Sequence, residues 1–205
     1  MHIVDGALST PVLAIGAVLA VAGVAKGLKK LDYDQLPLVG VLSAAFFVAS
    51  YIHLPVGFSS VHLVLNGLIG VALGWAAFPA LLVALILQAV FFGFGGFLVL
   101  GVNTFNIALP AVLVYYLCRP FIINGSPRRA AIWGGVGGAA AVALTTLMVA
   151  GSLALSGEAF WLAAKATLLA HIPVMIVEGF VTAAAMLLIS KVKPDFLHAM
   201  ESDRD

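Results

Sequence analysis

Residues 79–92 read Pro79-Ala80-Leu81-Leu82-Val83-Ala84-Leu85-Ile86-Leu87-Gln88-Ala89-Val90-Phe91-Phe92, an apolar run with one polar side chain and no charge. Such a run is typical of a membrane-spanning helix, with proline in its first turn and the following Gly93-Phe94-Gly95-Gly96 at its end. The rest of the chain has the same character. Of its 205 residues, 63% are hydrophobic and 9% are charged, against about half apolar and a quarter charged in soluble domains. We therefore predict an all-α, polytopic membrane protein.

Seven transmembrane helices in one bundle fit the hydrophobic pattern, because about 20 apolar residues cross a bilayer and shorter helices occur inside a bundle. We predict a single membrane domain over 1–205, with an N-terminal segment (1–9), the bundle (10–192) and a cytoplasmic tail (193–205). An amphipathic piece, Ala159 to Ala170, precedes the last span. The predicted spans are Thr10 to about Leu28, about Leu36 to Ile52, Ser60 to about Trp75, Pro79 to the Gly93 run, Asn103 to Arg119, about Ala130 to Leu155, and Ile172 to about Ser190.

The basic residues predict the orientation, because lysine and arginine concentrate in cytoplasmic loops. With seven spans, nine of the ten basic residues share one side and only Lys165 falls on the other. The N-terminus is then outside and the C-terminus cytoplasmic. The nine are Lys26, Lys29, Lys30, Arg119, Arg128, Arg129, Lys191, Lys193 and Arg204.

Several classes of function find no support in the sequence. A net charge of +1 without a basic patch gives no reason to expect nucleic acid. The single cysteine, Cys118, excludes an internal disulfide and a cysteine-cluster metal site. There is no nucleotide-binding motif and no convincing internal repeat of the kind that secondary transporters carry. No catalytic constellation is present, so we do not expect an enzyme or an organic cofactor.

The chain begins Met1-His2-Ile3-Val4-Asp5-Gly6, and its first two residues can chelate a metal ion. The α-amine of Met1, the amide nitrogen of His2 and the His2 Nδ1 close a five-membered and a six-membered ring around one cation. Planar nitrogen ligands suit Ni²⁺, Cu²⁺ or Co²⁺ rather than Mg²⁺ or Ca²⁺. We expect Met1 to be the mature terminus, because the bulky His2 should block its removal.

A second histidine is predicted on the same, external side, in the stretch Gly57-Phe58-Ser59-Ser60-Val61-His62. We expect Ser59 or Ser60 to cap the third helix, which would place His62 in its first turn. The His62 imidazole would then complete a four-coordinate plane. His53, in the preceding loop, is expected at the membrane interface rather than at the metal.

Other polar residues lie inside predicted spans, where they are costly and usually face the bundle interior. Glu178 and His171 could have structural or coupling roles. Gln88 could join helices by a hydrogen bond or belong to the surroundings of the metal. The candidates for hydrogen bonding around the ligands are Ser59, Ser60, Gln88, Asn103 and Thr104.

Four motifs resemble the CbiM/NikM family, the substrate-binding subunits of cobalt and nickel energy-coupling factor transporters. The resemblance spans nearly the whole chain. The motifs are Met1 to Gly6, Gly57 to Gly67, Leu87 to Gly96 followed by Leu100 to Asn106, and His171-Ile172-Pro173-Val174-Met175-Ile176-Val177-Glu178-Gly179.

This resemblance implies a seven-helix bundle in a prokaryotic plasma or inner membrane, with the N-terminus folded toward its centre. It implies Co²⁺ or Ni²⁺ as substrate, for cobalamin biosynthesis or nickel enzymes, held by Met1, His2 and His62. It also implies three partners: a CbiQ-type transmembrane coupling subunit, a CbiO-type ATPase and a small CbiN-type membrane protein.

Two alternatives stay open from the residues. A stand-alone secondary transporter or channel would move protons through Glu178 and His171, and would function without Met1 and His2. An intramembrane hydrolase would pair a serine with His62 or His171, but no Gly-x-Ser-x-Gly motif supports it.

Overall fold

The computed structural model describes residues 2–51, 54–56, 59–123 and 125–192, and this part of the chain is mainly helical. One short antiparallel hairpin interrupts the helices, pairing Leu54 with Val61 and Val56 with Ser59. Short 3₁₀ turns occur at Tyr33–Gln35, Gly74–Ala76 and Glu158–Phe160. The elements are α1 (Thr10–Lys30), α2 (Leu36–Ala49), β1 (Leu54–Val56), β2 (Ser59–Val61), α3 (Asn66–Leu73), α4 (Ala77–Phe92), α5 (Leu100–Ile123), α6 (Pro127–Ala154), α7 (Trp161–Ala170) and α8 (Ile172–Val192).

Five helical stretches in these ranges are long and apolar enough to cross a membrane, as a multi-pass membrane protein requires. The stretch Tyr33–Ala49 is apolar but shorter. The predicted helical membrane class is thus supported, whereas the count of seven and the external N-terminus stay predictions. The five stretches are Thr10–Lys30, Asn66–Phe92, Leu100–Ile123, Pro127–Ala154 and Glu158–Val192.

The prediction of a helix from Ser60 is wrong. Residues 59–61 form β2, and α3 begins only at Asn66. The residue before it, Leu65, has a φ of +53°, a left-handed conformation that a continuous right-handed helix cannot contain. His62 therefore lies in an irregular segment between β2 and α3, not in the first turn of a helix capped by a serine.

The fifth helix is longer than predicted at both ends. It begins at Leu100 and passes Pro110 and Pro120 to end at Ile123. A proline removes one hydrogen bond, but packed neighbouring helices tolerate it in a membrane bundle. The earlier start places Asn103 in the first turn of α5, where its backbone N–H donates to the Val99 carbonyl at 2.9 Å.

The N-terminal segment lies inside the bundle. Ile3, Ala7 and Leu8 are buried in the main apolar core, together with side chains from α2, α3, α4, α5 and α6. The segment therefore reaches the core before α1 starts at Thr10.

Glycines bring α6 close to its neighbours. A Cβ on Gly138 would lie 2.6 Å from the Glu178 carbonyl oxygen and 2.6 Å from the Thr182 hydroxyl of α8. A Cβ on Gly67 of α3 would lie 2.6 Å from the Gly138 Cα. Small residues allow helix backbones to approach in this way, and Gly138 is the point where α3, α6 and α8 meet.

We expect Gly138→Ala to destabilise the fold, because the added methyl group overlaps the α8 backbone. Overpacking of about 1–3 kcal/mol should lower the midpoint of thermal unfolding in detergent by roughly 2–10 °C. Gly151→Ala is the matched control on the same helix, since a Cβ there has no atom within 4 Å. A Gly138→Ala protein as stable as the control would contradict this account of the packing.

Candidate metal centre

Asn103 holds the N-terminal segment in place. Its side-chain Oδ1 accepts a hydrogen bond from the Ile3 N–H at 3.0 Å, and its Nδ2 donates to the Ile3 carbonyl at 3.0 Å. Ile3 and Asn103 are both buried. A buried peptide group without such partners would cost about 1–3 kcal/mol for each polar atom, so this one amide makes burial of the segment possible.

A second set of contacts joins Asp5 to the connection between α4 and α5. The Asp5 N–H donates to the Gly95 carbonyl at 3.2 Å, and Asp5 Oδ1 accepts from the Val99 N–H at 3.1 Å. Gly96 has a φ of +146°, and a Cβ there would overlap the Asp5 carboxylate. Glycine is therefore required at this position for the N-terminal segment to dock.

Docking of the segment brings His2 against His62. His2 Nδ1 and His62 Nε2 are 3.1 Å apart, and the two rings stack with centroids 4.6 Å apart. His2 is 2% exposed and His62 3% exposed. Two imidazole nitrogens thus face each other in a position closed to solvent.

The tautomer of His62 follows from its second nitrogen. His62 Nδ1 lies 2.6 Å from the Leu63 carbonyl oxygen, and because a carbonyl can only accept, Nδ1 carries the hydrogen. The lone pair is then on Nε2 and faces His2. Burial lowers the pKa of His62 to about 4, with a smaller opposing effect from the bond to Leu63 and a further lowering from nearby His171. The imidazole is therefore neutral near pH 7, the form that binds metal.

The distance between the two nitrogens suits a shared cation. Metal–imidazole bonds are about 2.0–2.1 Å long, so nitrogens 3.1 Å apart can bind one ion at an angle of roughly 100°. The two histidines would then occupy adjacent rather than opposite positions around the ion.

Two aromatic rings lie close to the pair, and the sequence alone assigns them no role. The Phe46 ring of α2 lies edge-on to His62 at 6.5 Å, and the Phe94 ring lies 6.5 Å from His2. Phe94 belongs to the Gly93-Phe94-Gly95-Gly96 run, which predicts a helix end and is part of one of the four motifs. Phe46 is preceded and followed by apolar residues, so nothing in the sequence distinguishes it.

The remaining predicted residues are placed differently. Gln88 donates from Nε2 to the Ser50 hydroxyl, joining α4 to the end of α2. The Thr104 hydroxyl donates to the Leu100 carbonyl of its own helix at 2.8 Å. The side chains of Ser59 and Ser60, and all of Met1 and His53, lie outside the described residues.

His171 and Glu178 are both fully buried. His171 lies at the break between α7 and α8, and its Nδ1 donates to the Thr167 carbonyl at 2.7 Å. Glu178 reaches from α8 to the segment that carries His62, where its Oε1 accepts from the N–H groups of Val64 and Leu65.

The family model for the cobalt uptake substrate-specific transmembrane region, CbiM, matches residues 2–196. The chain belongs to this family. A Haemophilus influenzae protein assigned to metal transport is 45% identical, over 98% of this chain and 99% of its own length. A crystal structure of a transition metal transporter superposes with a TM-score of 0.75 at 29% identity, covering 98% of this chain and 97% of that one.

Two other relatives are fusions and are longer than this chain. The fused nickel transport protein NikMN of Rhodobacter capsulatus is 36% identical over 86% of this chain and 53% of its own length. A fused protein of Methanocorpusculum labreanum, assigned to cobalt transport as CbiMQ, is 27% identical over 98% of this chain and 37% of its own length. In these relatives a protein of this family is joined to a second component.

We expect Asn103→Leu to weaken metal binding by about 10–100-fold, the usual effect of losing a hydrogen-bonding partner behind the ligands. Leucine has a similar volume but leaves the Ile3 N–H and carbonyl without the partners they now have. Binding of Ni²⁺ to purified protein, followed by calorimetry, measures the effect. Thr104→Val is the control, because in the described part of the chain the Thr104 hydroxyl donates to the Leu100 carbonyl of its own helix. Equal affinities for the two variants would remove Asn103 from the site.

Proposed function

We propose that this chain is the metal-binding membrane subunit of an ATP-driven importer of Co²⁺ or Ni²⁺. The observation that carries the proposal is the pair of buried nitrogens, His2 Nδ1 and His62 Nε2, which lie 3.1 Å apart. Membership of the cobalt uptake family supports a metal as the cargo. The nitrogen ligands favour late transition metals such as cobalt and nickel over hard cations.

The proposed ligands are the Met1 amine, the His2 amide, His2 Nδ1 and His62 Nε2. In a planar chelate the His2 amide nitrogen lies between the Met1 amine and His2 Nδ1. The fourth position, which His62 Nε2 would occupy, is then opposite the amide nitrogen and adjacent to His2 Nδ1. The short distance between His2 Nδ1 and His62 Nε2 is compatible with this arrangement, because adjacent ligands must lie near each other. Asn103 would fix the orientation of the N-terminal segment through Ile3.

Import against a gradient requires a source of free energy, and the sequence contains no nucleotide-binding motif. We propose a CbiQ-type coupling subunit and a CbiN-type membrane protein as partners, which the fused relatives CbiMQ and NikMN suggest. An ABC-type ATPase of the CbiO type would supply the energy. The complex would lie in a prokaryotic plasma membrane, with the N-terminus outside.

A proton relay through Glu178 has less support. Its Oε1 accepts two backbone N–H groups, from Val64 and Leu65, and so has a structural task that protonation would weaken. A secondary transporter remains the alternative that the uptake experiment below must exclude.

A tag left before Met1 should abolish tight metal binding while the fold is retained. The tag converts the Met1 amine into an amide and moves the new amine many residues away from the ion. We would compare Ni²⁺ content after purification for the native terminus, for a histidine-free N-terminal tag of several residues and for the same tag at the C-terminus as control. Full occupancy in the N-terminally tagged protein would disprove the chelate.

Cells that express this subunit alone should accumulate little radioactive nickel or cobalt, and cells with the presumed partners should accumulate much more. The accumulation should be lost when the ATPase is inactivated. The same measurement with Glu178→Gln tests the alternative. Equal uptake without partners, abolished by Glu178→Gln and by an uncoupler, would favour the secondary transporter instead.

A further inference from the structure

The start of α3 is capped by a side chain from a different helix. A helix leaves its first N–H groups without partners inside the helix, and usually a side chain at the N-cap accepts one of them. Here the N-cap residue is Leu65, which has no side-chain acceptor. Glu178 of α8 instead bonds to the backbone that leads into the helix: its Oε1 accepts from the N–H of Val64, the residue before the N-cap, and, at 2.8 Å, from the N–H of the N-cap residue Leu65.

The capped segment has an unfavourable backbone conformation. The φ of Leu65 is +53°, which is uncommon for a residue with a branched, bulky side chain and persists only where the surroundings enforce it. The Glu178 carboxylate accepts from two successive N–H groups, those of Val64 and Leu65, which belong to the peptide groups on either side of the Val64 Cα. These bonds therefore hold the turn from the irregular segment into α3.

His62 lies at the other end of this short segment. Its Nδ1 hydrogen bonds to the Leu63 carbonyl, so the imidazole orientation depends on the peptide group between Leu63 and Val64. The N–H of that same peptide group donates to Glu178. Glu178 therefore bonds to the N–H of this peptide group, and the His62 ring bonds to its carbonyl oxygen.

We propose that Glu178 is a positioning residue for the metal ligand His62. It works by accepting hydrogen bonds at the start of α3, not by contact with the ion and not by carrying a proton. This inference rests on the proposed function, since it assumes that His62 binds the transported ion. If this is so, metal affinity depends more on the length of the side chain at position 178 than on its charge.

The second carboxylate oxygen makes this distinction testable. Among the described residues Glu178 Oε2 has no hydrogen-bond partner. Glu178→Gln therefore keeps an accepting oxygen at the same distance from the backbone of α8. It replaces Oε2, which bonds to none of the described residues, by an amide NH₂ group. Glu178→Asp keeps the charge but withdraws the carboxylate by one methylene from both N–H groups.

Thr182→Val is the matched control. Thr182 lies one turn further along α8 and is fully buried, and its hydroxyl has no hydrogen-bond partner in the described structure. The substitution is nearly isosteric, so it reports on disturbance of α8 without touching the cap.

The experiment measures the Ni²⁺ dissociation constant and the visible absorption of Ni²⁺-loaded protein for wild type and the three variants, together with the unfolding midpoint of each metal-free protein. We expect wild-type affinity for Thr182→Val and a loss within about fivefold for Glu178→Gln, because a neutral acceptor bonds less strongly than a charged one. For Glu178→Asp we expect a loss of about 10–100-fold with a shifted absorption band.

Three results would overturn the inference. The first is a loss of Ni²⁺ affinity for Glu178→Gln that is as large as or larger than the loss for Glu178→Asp. The second is an unchanged affinity and absorption spectrum in both Glu178 variants. The third is a loss of affinity for Thr182→Val equal to the loss for Glu178→Asp. If the wild-type protein binds Ni²⁺ and only the variants give one of these results, the positioning role of Glu178 is disproved and the proposed function is not affected. If wild type itself does not bind, the proposed function fails and this inference with it.

Discussion

The structure depends on one constraint: a peptide segment buried in a membrane bundle must have its N–H and carbonyl groups bonded within the protein. Residues 2–9 form no helix or strand and so cannot satisfy these groups by themselves. The Asn103 amide supplies both missing partners of Ile3. The glycine-rich connection before α5 supplies the next, through Gly95 and Val99. Only with these bonds can the segment bring His2 into the core.

The segment with the second histidine meets the same constraint in a different way. Residues 62–65 form no helix or strand, and three of their polar groups are bonded by a carboxylate from α8 and by the His62 ring itself. The two histidines therefore belong to irregular segments, each held by one side chain from a regular helix. The helices give the rigidity, and the irregular backbone gives the close approach of the two rings.

Much of this arrangement could be predicted from the sequence. Apolar runs predict the long helices, and the Met1-His2 start together with His62 predicts two histidines that the structure brings together. The beginning of α3 could not be predicted, because Leu65 adopts a left-handed turn there and its N–H bonds to Glu178, a residue 113 positions away.

Asn103 could be suggested by its polarity in an apolar region. Its bond to Ile3 could not be derived, since only the folded backbone decides which buried amide meets which peptide group. Phe46 has no local signal at all, because its neighbours are equally apolar.

The short contact between the two histidines also has a thermodynamic consequence. Two nitrogens 3.1 Å apart attract each other only when one hydrogen lies between them, and the His62 tautomer assigns that hydrogen to His2. The protein without metal thus carries a hydrogen on the nitrogen that would bind the proposed cation. Because a neutral imidazole keeps one N–H in either tautomer, loading would shift this hydrogen to His2 Nε2, and the His2 amide would lose its own proton to become a ligand. Each loading event would therefore combine a change of histidine tautomer with the release of a proton, so that acidity weakens binding of the cargo.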